Sequence, residues 1–196
     1  MTATSQDAPI VVVIPSDDDD GERYEIIGGK RVQMPPASAF ASVVASRIVS
    51  AIGACTRANQ LGEAVASTVF RLPLPRSRCR RPSGAFVSYG HWPKGQPMNV
   101  RDEAWDVVPD LAFEVVSPTD YAEDLLVKVD EYFRAGVRLV WVVYPSLRLI
   151  HVYESMTRIR VLTAADELDG GNVLSGFRVA VAALFPEAAP DEGAPS

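Results

Sequence analysis

The stretch Val107-Val108-Pro109-Asp110-Leu111-Ala112-Phe113-Glu114-Val115-Val116-Ser117-Pro118 decides the fold. Seven of its twelve residues are apolar, and a short run of this kind bounded by prolines reads as a strand covered on both faces. Two carboxylates interrupt it. A carboxylate in an apolar interior either takes up a proton or finds a counter-charge, so Asp110 and Glu114 require a basic group, a metal or water beside them. Residues two and four apart on a strand share a face, which places Asp110, Ala112 and Glu114 on one side with a small residue between the two acids. Four residues of strand span about 13 Å, so both acids reach one ion only if the chain bends after Pro109.

Ser117-Pro118-Thr119-Asp120 ends the strand and is expected to cap a helix from about Tyr121 to Ala135, stopped by Gly136. On that helix Leu125, Val129, Tyr132 and Phe133 form the apolar stripe, and Glu123, Asp124, Asp130 and Glu131 fall outside it. Lys128 is the exception, lying on the flank of the stripe, where it can approach Glu114. Val137 to Tyr144 is a second apolar strand, so strand, helix and strand make a parallel, right-handed βαβ unit.

Before this unit, Tyr24 to Ile27 and Lys30 to Met34 flank Gly28-Gly29 and predict a hairpin. A helical stripe of Phe40, Val43, Val44, Ile48, Ala51, Ile52 and Cys55 predicts a long packing helix over about 38–59. Strands are expected at about 64–71 and 84–89, with a turn-rich loop over 91–97 in which His91 reads as incidental. After the unit come strands at 148–154 and 158–163, a turn at Asp169-Gly170-Gly171, and a short helix over 179–185. Residues 1–21, with Asp17 to Asp20, read as a disordered acidic tail, 22–185 as one folded domain, and 186–196 as a flexible tail.

The chain has 196 residues, 47% of them hydrophobic and 22% charged, as expected of one globular domain. Its two cysteines show no metal or redox spacing, and no run of the roughly 18 apolar residues of a membrane span stands out, so a cytoplasmic protein is expected. A net charge of −6 argues against coating nucleic acid through the overall field but not against a local site. Arg71, Arg76, Arg78, Arg80 and Arg81 lie among prolines on a segment expected to be extended and exposed, either contacting DNA phosphates or simply solvated.

One carboxylate holding Mg²⁺ and one lysine placing a water or stabilising developing phosphorane charge would suit phosphodiester hydrolysis. Glu114 and Lys128 also suit a buried ion pair, which contributes little net stability, and the residues by themselves leave both readings open.

Pro109-Asp110-Leu111-x-x-Glu114-Val115-x-Ser117-Pro118, with Lys128, Tyr132, Gly136-Val137 and Trp141-Val142-Val143-x-Pro145, resembles the Uma2 family of endonucleases in the PD-(D/E)XK, restriction-endonuclease-like superfamily. The resemblance runs from Tyr24-Glu25-x-x-x-Gly29 through Arg81-Pro82 to Leu184-Phe185. It implies an α/β fold with a mixed sheet flanked by helices, and DNA cutting dependent on Mg²⁺ or Mn²⁺. Asp110 and Glu114 would be metal ligands, and the helix would supply Lys128 because Val116 occupies the usual strand position. Cutting both strands calls for two sites, hence a homodimer. The chain departs from the family where Arg81-Pro82-Ser83 replaces Arg-Pro-Asp, at Gly28, and at Tyr144 before Pro145. Serine is a poor Mg²⁺ ligand beside a carboxylate, so the rival expectation is a catalytically inactive nuclease-like module that binds DNA or protein.

Overall fold

A computed structural model describes residues 23–118 and 120–187. The expected disordered tail, the last nine residues and Thr119 lie outside the described residues. The chain opens with the hairpin β1 (Tyr24–Ile27) and β2 (Lys30–Gln33), whose Gly28 and Gly29 both take positive φ, 63° and 78°, as a tight two-residue turn demands. Helix α1 (Ala39–Asn59) follows, its first turn capped by the Ser38 hydroxyl, which accepts from the Ala41 amide at 3.1 Å. Next come β3 (Gly62–Ala66), β4 (Phe70–Leu72), β5 (Arg78–Arg80), β6 (Gly84–Ser88) and β7 (Leu111–Val115). Helix α2 (Ala122–Ala135) leads to β8 (Leu139–Tyr144), β9 (Leu149–Ser155), β10 (Arg158–Leu162), β11 (Glu167–Asp169), β12 (Arg178–Ala180) and α3 (Val181–Leu184).

The main sheet has the order β10-β9-β8-β7-β6-β3. Only β7 and β8 run parallel in it, joined by α2 as the βαβ pattern predicts. Leu111, Phe113 and Val115 face α1, where they pack with Val44, Ile48, Trp141 and Phe177. Ala112 faces α2 and packs with Val129, Tyr132 and Ala135. Both faces of β7 are therefore covered, which accounts for its nearly continuous apolar run. By length and composition α1 would suffice for a membrane span, contrary to the expectation that no such stretch exists. In this fold it lies across the sheet and buries Val44, Ile48 and Ile52.

Three expectations are corrected by a second sheet, ordered β2-β1-β5-β4. The single strand expected over 64–71 is two, because the chain turns at Ser67 (φ 46°), whose amide bonds the Ser83 carbonyl at 3.2 Å. Segment 71–81 is extended but only partly exposed: Leu72 pairs with Arg78 and Arg71 with Cys79, and Arg80 is only 4% exposed. Glu131, expected on the solvent side of α2, is buried because this sheet lies against that flank. Ser117 to Asp120 also fails to cap α2: its N-cap is Tyr121, and the Asp120 carboxylate turns back to accept from the Ser117 amide at 2.7 Å.

Candidate active site

The second sheet creates the site by closing one side of a cavity of about 540 Å³ whose other walls come from β7 and α2. Glu114 projects from β7 toward α2 and is 6% exposed. Its Oε1 accepts from the Tyr132 hydroxyl at 2.7 Å and lies 3.7 Å from Lys128 Nζ. Tyr132 follows Lys128 by four residues, so one helical turn places both beside the same carboxylate oxygen. Lys128 Nζ also lies 3.1 Å from Glu25 Oε1 on β1. Thus the expected approach of Lys128 to Glu114 occurs, with a second acid that sequence reasoning missed. Glu25 was visible only as part of the Tyr24-Glu25-x-x-x-Gly29 pattern.

A chain of ion pairs runs behind these groups. Arg80 donates to Glu25 Oε2 and to Glu131 Oε2, each at 2.6 Å, and Arg78 Nε lies 2.9 Å from Glu131 Oε1. The Arg81 amide donates to Glu25 Oε1 at 3.0 Å. Three carboxylates and three cations are interlocked, so the charge each would carry alone in an apolar interior is compensated.

Electrostatics separates the roles of the two acids. Burial pushes the Glu114 carboxyl above the usual range, and the opposing pull of Lys128 and the Tyr132 hydroxyl does not cancel it. Burial acts on Glu25 in the same sense, but Lys128, Arg80 and the Arg81 amide together outweigh it and hold its carboxyl low. For Lys128, burial alone would favour the neutral amine, yet Glu114 and Glu25 overcome it and raise its pKa. Lys128 is therefore held as a cation near neutral pH, a state suited to stabilising charge or orienting water and not to accepting a proton.

Asp110 is not part of this cavity. It precedes β7 at the strand's other end, where its Oδ1 accepts from Arg138 at 2.6 Å and its Oδ2 from the Ser88 amide at 2.8 Å. His91 Nδ1 lies 3.3 Å from the same Oδ2. The two acids of β7 share neither a partner nor a pocket, so their expected convergence is corrected. Ser83 does line the cavity, and its hydroxyl accepts from the Val115 amide at 3.0 Å, next to Glu114. Of the five arginines proposed for DNA, Arg71 and Arg76 are exposed, Arg78 and Arg80 are committed to acids, and Arg81 lines the cavity.

No group of three or more His, Cys, Asp or Glu side chains placed to hold a metal occurs among the described residues. Glu25 and Glu131 have both oxygens engaged by cations, and Asp110 is elsewhere. The contacts of Glu114 all run through Oε1, leaving Oε2 without a protein partner among the described residues. Mg²⁺ is commonly held by one or two carboxylates together with substrate phosphate and water, so this set fits an ion that arrives with substrate rather than a resident one.

A mixed sheet flanked by helices, with β7 and β8 parallel across α2, is an α/β fold of the restriction-endonuclease-like class. The fold is shared with a crystal structure of "a putative nuclease belonging to DUF820" from Anabaena variabilis ATCC 29413. The two chains are 17% identical, with a TM-score of 0.71 over 83% of this chain and 89% of that one. No curated protein matches the chain. Residues 12–182 match the Uma2 family, described as "Putative restriction endonuclease", and the chain belongs to that family.

Proposed function

We propose that the protein hydrolyses phosphodiester bonds of DNA at Glu114 and Lys128, with a Mg²⁺ or Mn²⁺ ion bound jointly by Glu114 and the substrate. The observation that carries this reading is the approach of Lys128 Nζ to Glu114, 3.7 Å, in a cavity open to solvent. When bound, the ion would polarise the phosphate and acidify a water. Glu114 would present Oε2 to it while Tyr132 holds Oε1. Lys128 would supply a fixed positive charge where the phosphorane builds negative charge, and Glu25, itself anchored by Arg80, would keep the amine in place. Cutting both strands of a duplex would call for a homodimer.

The experiment is nicking of supercoiled plasmid in Mg²⁺ or Mn²⁺. Wild type should release open circles and Glu114→Gln should not. Equal background in both would support the second reading, a nuclease-like module that binds DNA or a protein without cutting it. Ser83 favours that reading, because it puts a neutral hydroxyl beside Glu114 where the family expectation is a second carboxylate.

A further inference from the structure

Beside the main cavity lies a smaller one of about 210 Å³, lined by α1 residues such as Ala45, Ser46 and Ser50 and by Ser67. Arg23, Ala37, Ser83 and Val115 belong to the walls of both, so the two spaces meet at these residues. Arg23 has no acid partner among the described residues, and its Nε is buried without a hydrogen-bond acceptor. That is unusual for a guanidinium at a cavity wall, since a buried donor left unpaired is costly. Arg81, on the wall of the main cavity, also forms no ion pair with an acid side chain among the described residues. It is held instead by two main-chain carbonyls, donating to Tyr24 at 3.3 Å and Ser67 at 3.4 Å. These bonds fix its plane and leave further N–H groups available.

The two guanidinium groups feel each other. Burial lowers the pKa of Arg81 and Arg23 lowers it further, while Tyr24 and Glu25 offset only part of this. The acid nearest Arg81, Glu25, is already held by Arg80 and Lys128, so the two like charges favour an added anion, and planar guanidinium forks match the oxygens of a phosphate. Arg78 and Arg80, by contrast, are already neutralised by Glu25 and Glu131.

We propose that Arg23 and Arg81 form a phosphate-binding subsite where the two cavities meet. It receives a backbone phosphate flanking the bond placed at Glu114, and the strand continues into the groove along α1. This deepens the nucleic-acid reading above and rests on it. Ser83, on both walls, then lies beneath the path of the strand.

The test uses the full chain in EDTA, so that binding is read without cutting. A fluorescein-labelled oligothymidylate is titrated by anisotropy at several salt concentrations. Arg23→Gln should weaken binding about tenfold at low salt and reduce the salt slope by about 0.7, as loss of one phosphate contact to a single strand does. Arg23→Lys should recover part of the affinity. Arg101→Gln, an exposed cation that lines neither cavity, should leave it nearly unchanged. A second arm measures the thermal unfolding midpoint in inorganic phosphate against chloride at equal ionic strength. Wild type should gain stability from phosphate and Arg23→Gln should not. If phosphate stabilises wild type through Arg23 but the oligonucleotide does not bind, the subsite stands and the nucleic-acid reading fails. Equal behaviour of Arg23→Gln and wild type in both arms, equal losses at Arg23 and Arg101, or a wild type that binds neither probe would overturn the subsite.

Discussion

At the scale of the residue, two of the buried glutamates of the cavity, Glu25 and Glu114, respond to pH in opposite senses. The folded pKa of Glu25 lies below its unfolded value, so its stabilising contribution is present above that unfolded value, about 4.3, and is lost as pH falls through the folded one. Glu114 has a raised folded pKa, so its contribution is present at low pH and is lost as pH rises through that value. Urea unfolding of wild type should therefore weaken in acid below the ordinary carboxylate range, and Glu25→Gln should flatten that acid limb. An unchanged limb would mean that Glu25 is not held as an anion by Lys128 and Arg80. Ser83 offers a second residue-scale prediction. Ser83→Asp places a carboxylate beside Glu114 and should tighten Mn²⁺ binding, read by the loss of the free-ion paramagnetic resonance signal, at least tenfold. No change would show that the Ser83 side chain does not reach the ion's position.

At the scale of the element, the buried ladder of β5 and α2 should dominate local stability. Arg80→Met removes the cation between Glu25 and Glu131 and leaves both acids under-compensated, a loss of roughly 3–5 kcal/mol in urea unfolding. A loss under about 1 kcal/mol would mean that water already reaches these acids. At the other end of β7, Asp110→Asn should cost about 1–3 kcal/mol, because it weakens bonds from Arg138 and Ser88, yet leave plasmid nicking within a few-fold of wild type. A nicking loss equal to that of Glu114→Gln would return Asp110 to the site.

These elements also show what could be read in advance. β7, α2 and β8 were legible because an apolar strand, a 3.6-residue stripe and a second apolar strand leave few alternatives, and Lys128 stood out as a cation on the flank of that stripe. The second sheet was legible only as its β1–β2 hairpin; the pairing of that hairpin with β5 and β4 was not. β5 is three residues long and two of them are arginine, so it has neither the length nor the composition to announce a buried strand. Without that sheet, Glu131 looked solvated and Glu25 had no visible partner. Asp110 was misplaced for a different reason. Period two correctly gives the face of a strand but not the neighbours at its end, where Arg138, entering β8, reaches it first.

At the scale of the whole molecule, the main sheet fixes Glu114, α2 brings Lys128 and Tyr132, and the smaller sheet contributes Glu25 and closes the cavity. The proposed activity then depends on three separate parts of the chain meeting at one place. If Glu114 and Lys128 work as a unit, their losses cannot be independent. The most direct measurement is a double-mutant cycle on the plasmid-nicking rate with Glu114→Gln, Lys128→Met and the two combined. The account predicts that each single change removes most of the activity and that the double variant is no slower than the worse single one. Losses that multiply in the double variant, or a Lys128→Met protein that nicks as fast as wild type, would contradict it.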